Sequence, residues 1–319
     1  MMKNTALITA LCAATALASP AFAETVLRLD EVAVGELDPA KASDYADSIL
    51  MFNVYDTLVL PAQGGPGHTP HLAASWDVDG ATYTFTLRDD VMFQSGNKMT
   101  AADVVYSVER MQALGAGLSY LFAGVTAEAV DDTTVTLTLE TPYAPFIASL
   151  VRLPIVDMTL VKANSDSEWG EDFLSGNGAG TGAYSVTSHN PQEETVMAKS
   201  DSYFLDVADV APDTVRLRYG LEPATVRTLI AQGEHDIASQ WLPPEVVQAL
   251  ANDGAQLLTE SGTGGFYFKM NTQKPPLDNV NCRLALSAVF DYGTAIQMIA
   301  INDEVSGGSP STGAIPVGM

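Results

Sequence analysis

The run TFTLRDDVMFQSGNKMTAADVVYSVER, residues 84–110, predicts a strand, a charged turn and an amphipathic helix in immediate succession. Phe85 and Leu87 alternate with polar residues, which is the period of a strand with one buried face. Thr100 followed three residues later by Asp103 is close to a capping box and predicts the first turn of the helix. Local structure therefore accounts for the charged residues of this run without a catalytic role.

The first 23 residues predict a secretory signal peptide. Lys3 gives a positive start, a short apolar core follows, and small residues precede the expected cleavage before Glu24. Cys12 could indicate a lipoprotein, but Leu11 occupies the position where a small residue is expected, so lipidation is not favoured. No other apolar run is long enough to span a bilayer, and we expect the mature protein to be exported and soluble.

The composition excludes some classes of partner and of stabilisation. With 39 acidic and 15 basic residues, the chain has a net charge of −24, which repels nucleic acids and anionic lipid surfaces. Cys282 is the only cysteine outside the predicted leader, so an internal disulfide is not available. Its position in a helical stretch predicts a small buried side chain.

Strands and helices alternate along the rest of the chain, which predicts an α/β or α+β protein. Asp79-Gly80 predicts a hairpin turn, Ser43 or Asp44 begins one helix, and Pro244 begins another. Residues 265–271, GFYFKMN, alternate as a strand does.

The sequence gives little evidence for catalysis, nucleotide binding or metal binding. The glycines of GNGAGTG, residues 176–182, do not have the spacing of a phosphate loop, and the segment leads into a strand rather than a helix. His68 and His71 could share a metal, but without a neighbouring cysteine or carboxylate cluster they are weak evidence for a site. The sequence therefore predicts a protein that is not an enzyme and that needs no cofactor or metal.

Five segments, in this order, resemble the extracytoplasmic solute-binding proteins of family 5, the receptors of peptide- and nickel-type ABC importers. They are LDPAKASD, SWDVDGATYTFTLRDDVMFQSGNKMTAADVVYSVERM, GTGAYSV, GEHDI and MNTQKPPLDNVNCRLALSAVFDY. The resemblance implies a class II periplasmic-binding-protein fold with two hinged lobes. Lobe I would comprise residues 24–265, with an inserted subdomain at about 61–173, and lobe II would begin at 266–319. Members of the family normally continue further, so we expect lobe II to be incomplete here.

The resemblance also implies a function. The protein would be a monomeric periplasmic receptor that captures a peptide-like small solute and delivers it to an inner-membrane ABC permease. Two other classes stay open: a secreted hydrolase with an unrecognised site, and a chemoreceptor or chaperone partner on the same fold. The family also hosts nickel chelates and sugars, and the sequence does not choose among these solutes.

The expected ligand contacts follow from the same resemblance, and for three of them the residues also allow a structural role. Trp241 lies either on the cleft wall or in a hydrophobic staple onto the next helix with Val247. Tyr120 lies either in the cleft or in subdomain packing. Alternation places Tyr267 on one face of the 265–271 strand together with Lys269, and this face is either part of the cleft or an ordinary exposed face. The predicted ligand-binding residues are Val34, Glu36, Tyr120, Gln240, Trp241, Tyr267 and Lys269.

Overall fold

The computed structural model describes residues 24–33, 36–63, 66–259, 265, 267–302 and 305–311. The predicted signal peptide and Val34 lie outside the described residues. The strands, in chain order, are β1 (Val26–Glu31), β2 (Val59–Pro61), β3 (His68–Pro70), β4 (Ala73–Asp79), β5 (Thr82–Leu87), β6 (Thr126–Ala129), β7 (Thr134–Thr138), β8 (Tyr184–Asn190), β9 (Glu194–Lys199) and β10 (Thr214–Tyr219).

Helices alternate with these strands, and two short 3-10 turns cover Ser119–Phe122 and Leu150–Arg152. Within the described ranges, no helix is both long enough and apolar enough to cross a membrane. The helices are α1 (Tyr45–Val54), α2 (Ala101–Leu114), α3 (Phe146–Ser149), α4 (Met158–Asn164), α5 (Glu171–Leu174), α6 (Pro223–Gln232), α7 (Pro244–Asn252), α8 (Val280–Val289) and α9 (Tyr292–Ile299).

The first sheet has the strand order β1-β10-β9-β8, in which β1 and β10 run parallel and the other neighbours antiparallel. Val215, Leu217 and Tyr219 of β10 alternate with exposed or half-buried residues and are buried. Leu50 and Val54 of α1 belong to the same apolar cluster. Helix α1 therefore covers one face of this sheet. Its N-cap is Asp44, one of the two predicted alternatives.

The second sheet contains the motif on which the sequence analysis began. Its order is β4-β5-β7-β6, and all its pairs are antiparallel. Phe85 and Leu87 are buried, and α2 begins after Thr100, whose N–H and hydroxyl both donate to the carboxylate of Asp103. The predicted hairpin at Asp79-Gly80, the strand and the helix start are confirmed. The charged turn is closed by Arg88, which binds the carboxylate of Asp90 in the same turn.

A buried ion pair joins the segment before α1 to α2, the helix that packs on the second sheet. Arg110 of α2 donates from Nη1 and Nη2 to the two carboxylate oxygens of Asp38, each at 2.6 Å, and from Nε to the carbonyl of Trp169 at 2.6 Å. Both side chains are almost fully removed from solvent. Because Asp38 precedes α1, this pair fixes the entry to α1 against the helix of the second sheet.

A second buried polar cluster centres on Asp56. Nε2 of His71 lies 2.7 Å from one carboxylate oxygen, and the hydroxyl of Thr181 donates to the other at 2.8 Å. The hydroxyl of Tyr203 donates to the first oxygen at 3.3 Å. The sequence provides weak evidence that His71 binds a metal. In the structure, His71 contacts a carboxylate to which Thr181 and Tyr203 also donate.

The glycines at 176–182 have a packing role. A Cβ on Gly180 would lie 2.0 Å from the carbonyl oxygen of Val54, and one on Gly182 would lie 2.3 Å from that of Asn53. The segment can lie this close to the end of α1 only because these residues lack side chains. Gly176, in contrast, has no atom within 4 Å of its notional Cβ.

Two expectations for the C-terminal part of the chain are wrong. Residues 265 and 267–271 form no strand, because alternation alone does not make a strand when no neighbouring backbone pairs with it. Cys282 is half-buried rather than buried, and no other residue of α8 is buried either. Leu284 and Val289 on α8 are exposed as well.

Candidate functional site

Three chain segments reach the same edge of the first sheet. Strands β1 and β10 run parallel, with Glu31 opposite Tyr219, so their carboxyl ends lie side by side. The segment after α6 runs parallel to β1 on its other side, with a bridge between Leu29 and Ile237 and with Arg28 accepting from the N–H of Ile237. In α/β sheets, ligands bind outside the carboxyl ends of parallel strands. This edge is the candidate ligand-binding surface.

The loop that leaves β1 is fixed to the first turn of α1. The carboxylate of Asp47 accepts from the backbone N–H groups of Glu36, Ser43 and Asp44, each at 3.1 Å. Asp47 itself is buried, whereas Glu36 is half-buried. Glu36, a predicted ligand contact, is thereby held beside the start of α1, and its predicted neighbour Val34 lies outside the described residues.

The loop that carries Trp241 is fixed to β1 by two buried carboxylates. Ser239 donates from its N–H to Asp30 at 3.2 Å and from its hydroxyl to Glu31 at 3.3 Å, and the N–H of Trp241 donates to that hydroxyl at 3.2 Å. The Trp241 side chain is 48 % exposed and meets the ring of Tyr45 edge-on, with 6.0 Å between centroids. Tyr45 begins α1, so the Trp241 and Glu36 loops meet at the first turn of this helix.

Burial controls the charges beneath the Trp241 loop. Desolvation raises the pKa of Asp30, against the opposing effects of the Ser239 N–H and of His235. Desolvation also lowers the pKa of His235, although the charge of Asp30 acts in the other direction. Nε2 of His235 lies 3.4 Å from Asp30, yet neither ring nitrogen has a hydrogen-bond partner within the described part of the chain. The pair favours a neutral histidine.

The outer face of α1 continues from this meeting point. Tyr45, Ser48 and Phe52 are spaced by three and four residues and share one side of the helix. The guanidinium of Arg152 lies over the Phe52 ring, 5.4 Å from its centroid, and donates to the Ser48 hydroxyl at 3.2 Å. A groove that is open to solvent runs between α1 and the segment around Arg152. Its apolar lining includes Met51, Met111, Leu118 and Val151.

Gln240 and Tyr120 are both exposed. Tyr120 lies in a 3-10 turn two residues after a residue that lines the groove, and Gln240 directly precedes Trp241. Val247 packs into the small apolar cluster between α6 and α7, whereas the ring partner of Trp241 is Tyr45. The ring of Trp241 therefore contacts Tyr45, and this contact differs from the hydrophobic staple with Val247 that was the alternative prediction.

Tyr267 and Lys269 do not share the face of a strand as expected, because residues 267–271 form no strand. Tyr267 is 74 % exposed, and Nζ of Lys269 lies over its ring at 5.8 Å. The ring of Phe268, between them, packs against Phe290 with centroids 5.4 Å apart. These two predicted ligand residues contact each other, but within the described ranges of the chain no contact joins them to the Glu36 and Trp241 loops.

The sequence analysis did not identify Tyr45, Asp47, Phe52 and Arg152 as part of this surface. The residues of α1 are apolar on several sides, so the sequence did not reveal which aromatic side chains would be exposed. The sequence signal that could have identified this surface was the seven-residue spacing of Tyr45 and Phe52, which places both residues on the same face of a helix. Among the described residues, no group of three or more His, Cys, Asp or Glu side chains is placed to hold a metal ion.

Comparison with known proteins places this chain among solute-binding proteins. The family model of the bacterial extracellular solute-binding proteins, family 5 Middle, matches residues 68–318. The probable D,D-dipeptide-binding periplasmic protein DdpA of Escherichia coli is 29 % identical over 293 residues, which cover 89 % of this chain and 55 % of DdpA. The periplasmic murein peptide-binding protein MppA of Escherichia coli is 29 % identical over 279 residues, 80 % of this chain and 50 % of MppA. The chain thus spans about half the length of these relatives.

Solved structures show the same fold. The DppA protein of Helicobacter pylori in complex with the peptide STSA is 26 % identical with a TM-score of 0.74, covering 86 % of this chain and 59 % of DppA. NikZ of Campylobacter jejuni with Ni(L-His), 20 % identical, has a TM-score of 0.71 over 85 % of this chain and 54 % of NikZ. The predicted α/β fold of the class II periplasmic binding proteins is confirmed. The chain belongs to the bacterial extracellular solute-binding proteins of family 5.

Proposed function

We propose that the protein is a periplasmic receptor of an ABC importer, which captures a peptide-like small solute and delivers it to an inner-membrane permease. The observation that carries this proposal is the exposed pair Trp241–Tyr45 beside the Glu36 loop, at the carboxyl edge of the β1–β10 pair. Relatives named as peptide-binding periplasmic proteins support the solute class and the location. The family consists of solute-binding proteins rather than enzymes, and we infer that this chain has no catalytic role of its own.

The chemistry of the surface suits a peptide. Aromatic rings provide rigid apolar area for a side chain or for the peptide plane, and they lose little conformational entropy on binding. Glu36, whose backbone N–H is bound by Asp47, supplies a carboxylate for an amino group. The hydrogen bonds that Ser239 donates and those that the Asp47 carboxylate accepts hold both loops in place before the ligand arrives, and such preorganisation lowers the cost of binding.

The lobe boundaries remain part of the proposal. Lobe I covers residues 24–265 with its subdomain at about 61–173, and a second lobe, beginning at 266, closes over the ligand by a hinge motion. Export through a cleaved signal peptide and a monomeric state complete the proposal. The ligand contacts proposed beyond Glu36 and Trp241 are Val34, Tyr120, Gln240, Tyr267 and Lys269.

The test is a titration of tryptophan fluorescence with di- and tripeptides, with sugars and with nickel–histidine chelates. We expect peptides to change the emission, and Trp241→Phe to remove the change. Trp76→Phe is the matched control, because Trp76 packs on Phe85 in the second sheet, away from the candidate surface, and its removal should leave the response intact. A response to none of the three solute classes, confirmed by calorimetry, would contradict a receptor function, and hydrolysis of the peptides would contradict the non-enzymatic role.

A further inference from the structure

A buried histidine without a hydrogen-bond partner lies beneath the loop that carries Trp241. The side chain of His235 is fully removed from solvent, and neither of its ring nitrogens has a partner within the part of the chain that the structure describes. Such a buried polar group costs stability, and few folded proteins keep one without a functional reason. His235 is therefore a candidate for a role that the fold alone does not require.

The ring of His235 faces the oxygen atom that anchors the Trp241 loop. Nε2 lies 3.4 Å from Oδ1 of Asp30, and the same Oδ1 accepts the N–H of Ser239 at 3.2 Å. The Ser239 hydroxyl in turn accepts the N–H of Trp241 at 3.2 Å. All three distances lie at or above the upper end of the usual range for an N–H···O hydrogen bond. A shift of the Asp30 carboxylate is therefore transmitted to the backbone of Trp241.

The segment that carries His235 is held from its other side. The N–H groups of Asp236 and Ile237 both donate to the carbonyl of Arg28, at 2.9 and 3.1 Å. The carboxylate of Asp236 also accepts from the N–H of Arg28 at 2.7 Å and from its guanidinium at 3.3 Å. Because the backbone next to the histidine is fixed in this way, a closer approach of the imidazole and Asp30 moves the carboxylate and the loop bound to it.

The groups around His235 determine when it takes up a proton. Burial, which is the largest effect, and the positive charge of Arg218 on β10 lower the pKa of His235, whereas Asp30 on β1 and the neighbouring Asp236 raise it. Burial predominates, so the imidazole is neutral at neutral pH and becomes charged only below about pH 6.5, the ordinary histidine value. Once charged, both ring nitrogens are donors, and a charged N–H donor approaches a carboxylate oxygen to about 2.7–2.9 Å.

We propose that protonation of His235 displaces the Trp241 loop and thereby weakens ligand binding at the candidate surface in acidic surroundings. The charged imidazole draws Oδ1 of Asp30 toward Nε2 and away from the N–H of Ser239. The Trp241 ring then loses its position against Tyr45. A bound ligand acts in the same sense, because it removes further water from the site and makes a buried charge more costly. The effect on affinity rests on the proposed receptor function, whereas the displacement of the loop does not.

The first test follows the tryptophan emission of the ligand-free protein from about pH 8 to about pH 5, the range in which histidines titrate, while circular dichroism verifies that the protein stays folded. We expect a change in emission below about pH 6.5 that is absent in Trp241→Phe and in His235→Gln. His68→Gln is the matched control and should retain the change, because His68 lies on β3 in a separate two-stranded sheet. Asp30→Asn gives a second variant: the amide keeps an acceptor for Ser239 but removes the charge that favours protonation, so the change should move to lower pH.

The second test measures the affinity for the tripeptide Ala-Ala-Phe by calorimetry over the same pH range. The dissociation constant should rise as the pH falls, by at most about tenfold for each pH unit, because a single proton is exchanged. An emission change that persists in His235→Gln, or an affinity with the same pH dependence in His235→Gln and in the wild type, would overturn the inference and leave the receptor function standing. Binding of no solute at any pH would overturn the receptor function and the effect on affinity, and an emission change that depends on His235 would still support the displacement of the loop.

Discussion

Replacing Arg110 by methionine should destabilise the protein far more than replacing a partly exposed arginine that also binds a carboxylate through two hydrogen bonds. Arg110→Met leaves the carboxylate of Asp38 buried without the two guanidinium donors at 2.6 Å, and it leaves the carbonyl of Trp169 without its donor. The backbone N–H of Ala40 would be the remaining recorded donor to Asp38. Removing one partner of a buried ion pair costs about 3–5 kcal/mol. That is a large share of the roughly 5–15 kcal/mol by which a typical protein is stable.

Arg88 provides the comparison within the same chain. It binds Asp90 with two hydrogen bonds of 2.9 and 2.6 Å, but the two side chains are 30 % and 54 % exposed, so water replaces the lost contacts. Arg88→Met should therefore cost no more than about 1 kcal/mol after solvent screening. Urea unfolding followed by circular dichroism measures both values. Equal losses in the two variants would refute the argument that burial decides the cost.

The double variant Arg110→Met with Asp38→Leu tests the mechanism of the loss. If most of the cost comes from an unpaired buried charge, then removing the charge as well should recover part of the stability. We expect the double variant to be more stable than the sum of the single changes predicts, by about 2–3 kcal/mol, within the range for groups in direct contact. Additive effects would show that the two side chains stabilise the fold independently.

Three further predictions concern buried residues outside the strands: His235, Gly180 and Asp47. Burial lowers the pKa of His235, so just below pH 6.5 the unfolded chain binds more protons than the folded one, and the free energy of unfolding should fall as the pH drops. In thermal unfolding, His235→Gln should show a weaker fall than the wild type or the control His68→Gln. Equal falls in all three would contradict the assignment to His235. Gly180→Ala should destabilise the protein by at least about 2 kcal/mol because its Cβ would overlap the end of α1, whereas Gly176→Ala should stay within about 0.5 kcal/mol; similar urea midpoints would mean that the backbone gives way. Asp47→Ala should weaken peptide binding by releasing the loop after β1, and an unchanged dissociation constant would show that this anchor is dispensable.

Local sequence was sufficient wherever a structural element depends on its own residues. The alternation at Phe85 and Leu87 and the pair Thr100 and Asp103 determine a strand and a helix start without distant help, and both are as predicted. The run 265–271 has the same alternation, but its described residues, 265 and 267–271, form no strand, because pairing requires a neighbour that local sequence does not specify.

The candidate surface depends on distant contacts, which local patterns do not reveal. Tyr45 meets Trp241 across 196 positions of the chain, and Arg152 reaches Ser48 across 104. Exposed aromatic residues on a helix look the same in sequence as buried ones when the helix is apolar on several sides. The glycines at 176–182 could be excluded as a phosphate loop, but their packing against Val54 could be seen only in three dimensions.

The buried carboxylate of Asp56 affects the order in which the chain can fold during synthesis. Its hydrogen-bond partners lie 15, 125 and 147 positions later, at His71, Thr181 and Tyr203. A nascent chain that ends before Thr181 can bring only the histidine to this carboxylate, and burying it then would leave one oxygen without its donor. Compact packing around Asp56 is therefore disfavoured until Thr181 and Tyr203 are available. Contacts over such separations also slow folding once the chain is complete, so the early part of the protein stays loosely structured for longer than its own strands and helices would suggest.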